Sequence, residues 1–174
     1  YAVQRRALQQ LVEDDEKQNA DSPIDVMADT TSMLTEKLFL RREKRLATEL
    51  QTLANFDATA QPALGAGDQW SNFASATSDP NEDVATARSE IYGKIFRQPN
   101  IMILPYEVYE KVREHPKVTD RIKYTQMAVV TAGLLGSLWD IDNVIIAGGG
   151  ENTAAEGQTP SLSYVWGKSC WLGY

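Results

Sequence analysis

Two glycine-containing segments of this sequence have residue types found in nucleotide-binding loops. Residues 167–169, Gly-Lys-Ser, match the end of a phosphate-binding loop, and residues 148–150 are three glycines that follow a strand-like run. A phosphate-binding loop also needs a glycine five residues earlier, where this chain has Leu162, and a helix directly afterwards, where it has an aromatic segment. The three glycines lack the spacing of a dinucleotide fingerprint, and no helical pattern follows them. Neither segment is predicted to bind a nucleotide.

His115 is the only histidine in the chain. It precedes Pro116 at the predicted end of a helix, where histidines commonly interact with free backbone carbonyls. A metal site would need further ligands at regular spacing, and a catalytic triad would need a nucleophile, which the sequence does not reveal. Two acidic pairs lie in segments that look exposed, where carboxylates are mostly solvated: Asp14 with Asp15, and Asp140 with Asp142. We therefore predict no catalytic residue, no cofactor, no metal and no enzymatic activity.

The composition is that of a folded chain that is long enough for a sizeable core, with 174 residues, 43% of them hydrophobic and 24% charged. A formal net charge of -7 repels phosphate backbones, so a nucleic-acid-binding protein is not expected. The single cysteine, Cys170, excludes an internal disulfide, and its apolar and aromatic neighbours predict a buried thiol in a reducing compartment. No apolar run approaches the roughly 20 residues of a membrane span, so no membrane partner is expected.

A very long helix is predicted over residues 24–54. Ser-Pro-Ile-Asp at 22–25 resembles a capping box with proline at the first helical position, and Asp25 can accept hydrogen bonds from the exposed amides. No glycine or proline follows until Pro62, and strong helix formers fill the interval. Such a helix would be about 45 Å long and would cross a whole domain, with Leu38 and Leu46 among the residues of its apolar face. Before it, residues 1–20 are predicted to be a solvated arm with an extended start and an acidic stretch at 13–16.

The middle of this helix carries the charged run Arg41-Arg42-Glu43-Lys44-Arg45. Mixed charge runs on long helices are mostly solvated faces. The alternative is that Arg41, Arg42 and Arg45 pair with acidic residues of a neighbouring subunit, because a planar guanidinium group suits bidentate contacts. The sequence alone leaves both interpretations open.

After the long helix, the chain alternates turns, helices and short strands. Residues 57–78 are rich in turn-forming residues and are predicted to be a connector with a short strand around Trp70. The other predicted elements are a capped helix at 79–96, a buried central strand at 101–104, a helix that starts at Pro105 and stops before Pro116, a short helix at 118–122, a segment at 131–139 with its leucines on one side, a strand at 143–147, an exposed loop at 151–160, and two strand pieces at 164–166 and 170–172 around a turn.

Several motifs occur in an order that resembles one protein family. A capped helix leads into Pro-Asn-Ile-Met-Ile-Leu at 99–104, Pro-Tyr-Glu-Val-Tyr at 105–109, Arg-Glu-His-Pro-Lys-Val at 113–118 and Asp-Arg-Ile-Lys-Tyr-Thr at 120–125, which together contain the phrase H-P-x-V-x-x-R-I-K-Y. Ala-Asp at 20–21, Gln-Trp-Ser at 69–71, Asn-Thr-Ala at 152–154 and Val-Trp-Gly at 165–167 agree in position. This order resembles the major capsid proteins of tailed double-stranded DNA phages, which have the Hong Kong 97-type fold.

The resemblance implies an α+β chain with the Hong Kong 97-type phage capsid fold, in which a long spine helix lies in a peripheral domain beside an α/β axial domain. Residues 1–20 would be the end of an extended loop or arm, 21–78 the peripheral domain, 79–160 the axial domain and 161–174 the return to the peripheral domain. The implied function is structural. The chain would assemble with itself into pentamers and hexamers of an icosahedral shell that encloses phage DNA without sequence-specific binding.

The resemblance also implies a location and further partners. Assembly would take place in the host bacterial cytoplasm, the product would be the virion capsid, and portal, scaffolding or decoration proteins would be additional partners. Some family members crosslink their subunits through a lysine and an asparagine, but neither can be placed here, so crosslinking is not predicted. Because the sequence starts at Tyr1 without a methionine, we expect a fragment or a processed form.

Two other functions remain open at this point. An encapsulin-like compartment has the same fold but encloses a cargo protein in place of a genome. A small α/β enzyme is suggested only by the order of helices and strands around Ile101 and Val144, and it lacks a catalytic constellation.

Overall fold

The computed structural model describes residues 5–21, 24–123, 129–155 and 157–174. The chain is α+β and divides into two compact units, Tyr1–Leu46 and Ala47–Tyr174. The predicted boundaries of the peripheral and axial domains stay a prediction. Ser22 and Pro23 of the first cap, and Tyr124 and Thr125 of the family phrase, lie outside the described residues.

The first unit contains most of a 26-residue helix, α2 (Val26–Gln51), which runs on into the second unit. Its length of about 39 Å confirms the prediction of a very long helix. The helix is shorter at both ends than predicted, because Asp25 lies just before it as the cap. The Asp25 Oδ1 atom accepts hydrogen bonds from the amides of Met27 at 3.0 Å and Ala28 at 3.1 Å.

The acidic stretch before α2 forms a six-residue helix, α1 (Asp14–Asn19), which the sequence analysis did not predict. Its three first-turn carboxylates interact favourably with the exposed amides of a helix N-terminus, and this offsets the modest helix propensity of aspartate. Lys17 Nζ pairs with Asp14 Oδ1 at 3.1 Å. The prediction that this segment is solvent-exposed is confirmed, since none of the helix residues is buried.

The second unit is built on a three-stranded sheet with the strand order β2-β1-β5. The central strand β1 (Ile101–Pro105) is parallel to β2 (Asn143–Ala147) and antiparallel to β5 (Trp171–Gly173). The prediction of a buried central strand is therefore confirmed. In the register, Ile103 is opposite Ile145 on one side and Trp171 on the other.

The predicted strand piece at 164–166 is wrong beyond Tyr164, because the observed strand β4 (Leu162–Tyr164) ends there and a bend follows. β4 pairs with β3 (Gly150–Asn152) in a separate two-stranded antiparallel sheet, whereas β5, which lies one residue later than predicted, joins the main sheet. The predicted loop at 151–160 is therefore wrong at its start, where residues 150–152 form a strand. Asn152 stabilises this hairpin, because its Oδ1 atom accepts hydrogen bonds from the amides of Ala154 and Ser161 at 3.1 and 2.9 Å.

The predicted strand around Trp70 is wrong. The connector turns repeatedly, with amide-to-carbonyl bonds from Asp68 to Gly65, from Asn72 to Gln69 and from Ser75 to Asn72. Short polar residues and glycine favour such turns over a paired strand. Trp70 instead packs against the core, and its Nε1 atom donates a hydrogen bond to Asp83 Oδ2 at 2.6 Å.

Four helices cover one face of the main sheet region: α3 (Pro80–Ile95), α4 (Tyr106–Glu114), α5 (Pro116–Ile122) and α6 (Ala132–Trp139). The helices α3, α4 and α5 confirm the predicted helices to within two residues at each end, and α6 forms over the segment 131–139 whose leucines were predicted to lie on one side. The side chain of Asp79 caps α3 as expected, and that of Thr131 caps α6. Within the described ranges, no helix is both long enough and apolar enough to cross a membrane.

The alternating side chains of β1 contribute to two separate cores. Met102 and Leu104 belong to the larger core, which the four helices share, while Ile103 belongs to a smaller core on the opposite face. The smaller core contains Ala47 from the end of α2 together with Trp166. The sheet therefore joins the end of the long helix to the helical layer.

We predict that Gly136→Ala destabilises the second unit. A Cβ atom at this position of α6 would lie 2.8 Å from the backbone oxygen of Ile141, and a backbone atom cannot move aside cheaply. The expected loss is roughly 1–3 kcal/mol in the free energy of unfolding, measured by urea denaturation. The matched control is Gly133→Ala on the same helix, where a Cβ atom meets nothing within 4 Å. Equal stability of the two variants would contradict the role of this close approach.

Candidate functional site

The histidine that the sequence singled out lies in a buried polar cluster between α4 and α5. His115 is 2% exposed and Ser78 is fully buried. The His115 Nδ1 atom accepts a hydrogen bond from the Lys117 amide at 3.2 Å, so His115 caps the start of α5. At the end of α4, the His115 backbone amide donates to the carbonyl oxygen of Val112 at 3.2 Å. The side chain turns to α5 instead, because the Pro116 ring starts a new helix whose amides need an acceptor.

A serine and a histidine in contact resemble a nucleophile and its base, but the hydrogen bonding here excludes that role. Because Nδ1 of His115 accepts, its proton lies on Nε2, which donates to Ser78 Oγ at 3.2 Å. The Ser78 hydroxyl in turn donates to the carbonyl oxygen of Gln69 at 2.9 Å. In this arrangement the histidine cannot take the serine proton, and neither side chain reaches solvent. The pair fixes the connector against the α4–α5 junction.

Charged groups at the edge of this cluster are also paired. Lys117 Nζ lies 3.3 Å from Asp79 Oδ2 and donates to the carbonyl oxygen of Ala76 at 2.7 Å. Burial acts to raise the pKa of Asp79, but hydrogen bonds from the Glu82 amide, Lys117 and the Asn81 amide together hold that pKa below its ordinary value. Burial lowers the pKa of His115, and Lys117 lowers it further, against the opposing effect of Asp79.

Asn81 connects three helices through its buried amide group. Its Nδ2 atom donates to the carbonyl oxygen of Lys117 on α5 at 3.1 Å, and its Oδ1 atom accepts from Trp139 Nε1 on α6 at 3.0 Å. Both ends of the amide are thus satisfied inside the protein. The cluster as a whole is a structural network that orders the helical layer.

The other candidate segments make contacts of their own. Gly167 lies in the bend between β4 and β5, where its amide donates to Gln51 Oε1 at 3.2 Å, and no helix follows it as a phosphate-binding loop requires. Asp140 is exposed as predicted and also pairs with Arg88 Nη2 at 2.5 Å. Cys170 packs against the larger core, where burial raises its thiol pKa to about 12. Among the residues that the structure describes, no three His, Cys, Asp or Glu side chains are grouped as metal ligands.

The arginines of the charged run project from α2 into solvent. Arg41, Arg42 and Arg45 are all exposed, and none has a hydrogen-bond or ion-pair partner within the described part of the chain. The structure therefore brings them together on one helix but assigns no partner to them. The proposed pairing with a neighbouring subunit stays a prediction.

Large apolar side chains surround these arginines, which the sequence analysis did not recognise as a combined surface. Leu38 is 37% exposed, Phe39 64% and Leu46 49%. At spacings of three and four residues from Arg42, they share its side of the helix. We call this surface the outer face of α2 and define it by six residues: Leu38, Phe39, Arg41, Arg42, Arg45 and Leu46. The signal in the sequence was an apolar helix stripe interrupted by arginine.

Comparison with known proteins gives consistent results. The family model described as phage major capsid protein E matches residues 44–147, which is more than half of the chain. A major capsid protein of Burkholderia phage BcepMu is 29% identical over 159 residues, covering 91% of this chain and 49% of the relative. A major capsid protein of Pseudomonas phage JBD67 is 24% identical over 151 residues, covering 86% of this chain and 47% of the relative. The chain thus spans about half the length of these curated relatives.

A solved structure agrees with these matches. A phage-related protein from Bordetella bronchiseptica superimposes with a TM-score of 0.75 and is 29% identical, over 87% of this chain and 48% of that protein. The similarity extends beyond the residues of the family model, and its coverage requires residues on both sides of 44–147.

We predict that the buried histidine makes the folded protein sensitive to mild acid. The pKa of His115 is lower in the folded protein than the 6.5 of an exposed histidine, so the unfolded chain binds the proton first. Stability is therefore complete above about pH 6.5 and declines as the pH falls from there towards the folded-state pKa. Urea denaturation at about pH 7.5 and about pH 5.5 measures the decline.

The matched control is His115→Asn, which keeps a side-chain acceptor at the cap but does not titrate in this range. We expect the variant to lose less unfolding free energy than the parent protein between the two pH values. Identical losses would assign the acid sensitivity to carboxylates elsewhere in the protein.

Proposed function

This chain belongs to the phage major capsid protein E family, and we propose that it acts as the structural subunit of a phage capsid. The observation that carries the proposal is the family match over residues 44–147, together with relatives from two phages that are named as major capsid proteins. The role is structural and not enzymatic. The closed hydrogen-bond network around His115 supports this, because it leaves neither Ser78 nor His115 accessible to a substrate.

The finer part of the proposal is the Hong Kong 97-type fold, with α2 as its spine helix. Two observations support it. The helix α2 is 26 residues long, and in the second unit a capped helix leads into a central strand and two short helices. This is the order of motifs on which the sequence resemblance depends. In such a fold, subunits form pentamers and hexamers, and hundreds of copies close an icosahedral shell.

The same proposal gives the protein its location and its relation to DNA. It would be part of the virion capsid and would assemble in the host cytoplasm, with portal, scaffolding or decoration proteins as further partners. The formal net charge of -7 suits a wall that encloses DNA without binding it along its length. Repetition of each interface around the shell allows individually modest contacts to suffice.

Contacts between neighbouring subunits are proposed to include Arg41, Arg42 and Arg45. These three guanidinium groups are exposed and lack partners in the described chain. A guanidinium group offers several donors in a fixed plane and is the side chain best suited to charged contacts at interfaces. The surrounding apolar side chains would lose their solvent contact in the same interface.

Negative-stain electron microscopy of the protein, expressed as its gene encodes it and together with neighbouring genes, tests the capsid role directly. Uniform closed shells that contain DNA after infection are the expected result. Shells that contain a cargo protein and no DNA would identify an encapsulin-like compartment instead. A dispersed monomer under every condition would overturn both shell functions and return attention to a small enzyme.

We predict that Arg42→Glu reduces the yield of assembled particles. The reversal replaces attraction by repulsion and weakens each contact by roughly 1 kcal/mol, about fivefold in the association constant, and the loss is repeated in every copy. Sedimentation of lysates, followed by microscopy of the particle fraction, measures the yield.

Lys168→Glu provides the matched control outside this helix. Lys168 is also exposed and lies in the segment between β4 and β5. Its reversal changes the net charge equally, and we expect a particle yield close to that of the parent protein. Equal yields from the two variants would remove Arg42 from the proposed interface.

A further inference from the structure

We propose that Phe96 and the groove beside it bind the β3–β4 hairpin of a second copy of this chain in a head-to-tail contact. This inference rests on the proposed function, because it names two surfaces through which the subunits of a ring would meet. It commits to one occupant, the hairpin side chains Leu162 and Tyr164 of the neighbour. Within a single chain, both the backbone and the side chain of Phe96 are unfavourably placed.

Phe96 caps the C-terminus of α3 in a left-handed backbone conformation, with φ 52° and ψ 33°. Glycine is the usual residue in this conformation, because a residue with a Cβ atom is strained there. Among the described residues, the only other non-glycine residue with a positive φ is Asp140, and aspartate tolerates this region far better than a bulky aromatic residue does. Phenylalanine at position 96 therefore destabilises the turn that glycine or asparagine would favour.

The phenyl group of Phe96 does not offset this strain by burial. It is 77% exposed, and within the described residues the only ring stacked on it is that of Tyr92, edge to face at 6.2 Å between centroids. Tyr92 and Ile95, on the last turn of α3, are themselves about half exposed. We call Tyr92, Ile95 and Phe96 the aromatic end of α3. Strain without burial in the same chain indicates burial against another molecule.

Tyr92 also lines a groove of about 250 Å³ between α3 and the turn that leads to β1. The groove is lined by Ala85, Arg88, Ser89, Tyr92, Gln98 and Pro99. Sites for drug-sized ligands usually enclose about 300–1,000 Å³, so this smaller groove suits one or two side chains of a partner protein. An exposed aromatic cluster beside a recess is the arrangement found at the energetic centres of interfaces.

The β3–β4 hairpin carries a second exposed apolar surface. Leu162 is 81% exposed, and Tyr164, two residues later on the same face of β4, is about half exposed. The Tyr164 ring lies 6.3 Å from the ring of Tyr106, which starts α4 and is also exposed. We call Tyr106, Leu162 and Tyr164 the hairpin surface. Because Leu162 buries so little in its own chain, its side chain is available to enter the groove of another copy.

The two surfaces lie at opposite ends of the main sheet. Phe96 precedes β1 and lies towards its amino end, whereas Tyr106 follows β1 directly at its carboxyl end. The hairpin starts three residues after β2, which is parallel to β1, so it also follows a carboxyl end. The five-residue strand β1 alone separates the two ends by about 13 Å. The hairpin surface can therefore meet the aromatic end of α3 only on a second copy.

A contact between two different surfaces generates rings when its rotation closes, whereas a symmetric dimer uses the same surface twice. In a head-to-tail ring, each copy would offer its groove to one neighbour and its hairpin to the other. This geometry fits the pentamers and hexamers of the proposed function. The individual contact is small, and its repetition around each ring compensates for its size.

Substitution of Phe96 distinguishes a role in the contact from a role within the fold. Phe96→Gly removes both the strain and the ring, so we expect a urea midpoint equal to or above that of the parent protein, with a loss of closed shells of at least about tenfold. Phe96→Asn, which also tolerates this backbone, should behave in the same way. Either a lower midpoint in both variants or an unchanged particle yield would overturn the proposal.

The partner surface is tested by Leu162→Ser. Because Leu162 is almost fully exposed in the single chain, we expect an unchanged urea midpoint and a loss of closed shells similar to that of Phe96→Gly. Sedimentation of lysates, followed by microscopy of the particle fraction, measures the yield. A yield equal to that of the parent protein would remove the hairpin from the contact.

Crosslinking then shows which surfaces meet. Ser89→Cys in the groove and Ser161→Cys beside Leu162 leave both apolar surfaces intact, and a short bismaleimide can join the two positions between neighbouring copies. Cys170 does not compete, because burial raises its thiol pKa to about 12. From assembled shells of the double variant, we expect a ladder of covalent multimers that ends at five or six chains. Each single-cysteine variant is the matched control and should give no multimers.

The possible results separate this inference from the proposed function. Closed shells of the double-cysteine variant that give no multimers would overturn the contact and leave the capsid role intact. Multimers limited to two chains would indicate a symmetric contact and would also overturn the head-to-tail arrangement. Failure of the parent protein to form shells under any condition would overturn both.

Discussion

Burial of β1 on both faces is the constraint on which the second unit depends. Because successive side chains of a strand point in opposite directions, Met102 and Leu104 need one cover and Ile103 needs another. The helical layer provides the first, and the end of α2 with Trp166 provides the second. A change in the register of β1 by one residue would exchange the two sets, so both layers fix the same alignment.

Buried polar groups then fix the order of the helical layer, which apolar packing alone specifies less sharply. Asn81 bonds to α5 and α6, and His115 bonds to both α5 and the connector through Ser78. An unsatisfied polar group in this position would cost roughly 1–3 kcal/mol, so each helix is restricted to the placement that satisfies them all. This explains why a histidine that looks catalytic in the sequence has a structural role.

Sequence reasoning succeeded where the signal is local and failed where the partner is distant. Caps at Asp25 and Asp79, the absence of glycine and proline from α2, and the continuous apolar run of β1 each specify structure within a few residues. The pairing of β5 with β1 depends on chain segments far apart, and no local pattern distinguishes β5 from a hairpin partner of β4. The turns of the connector were predicted, and only the short strand placed around Trp70 was wrong.

The candidate surface shows the same limit. Arg41, Arg42 and Arg45 were identifiable as a charged run, but the exposure of Phe39 beside them became visible only in the structure. Their partner depends on a second molecule and is therefore absent from any single-chain pattern. Completion of the central sheet during synthesis must wait for β5, because β5 follows β1 by about 70 residues. At usual rates of synthesis on the ribosome, β1 waits roughly 4 to 14 s for its second neighbour, and during that interval its free edge is accessible to chaperones and to other nascent chains.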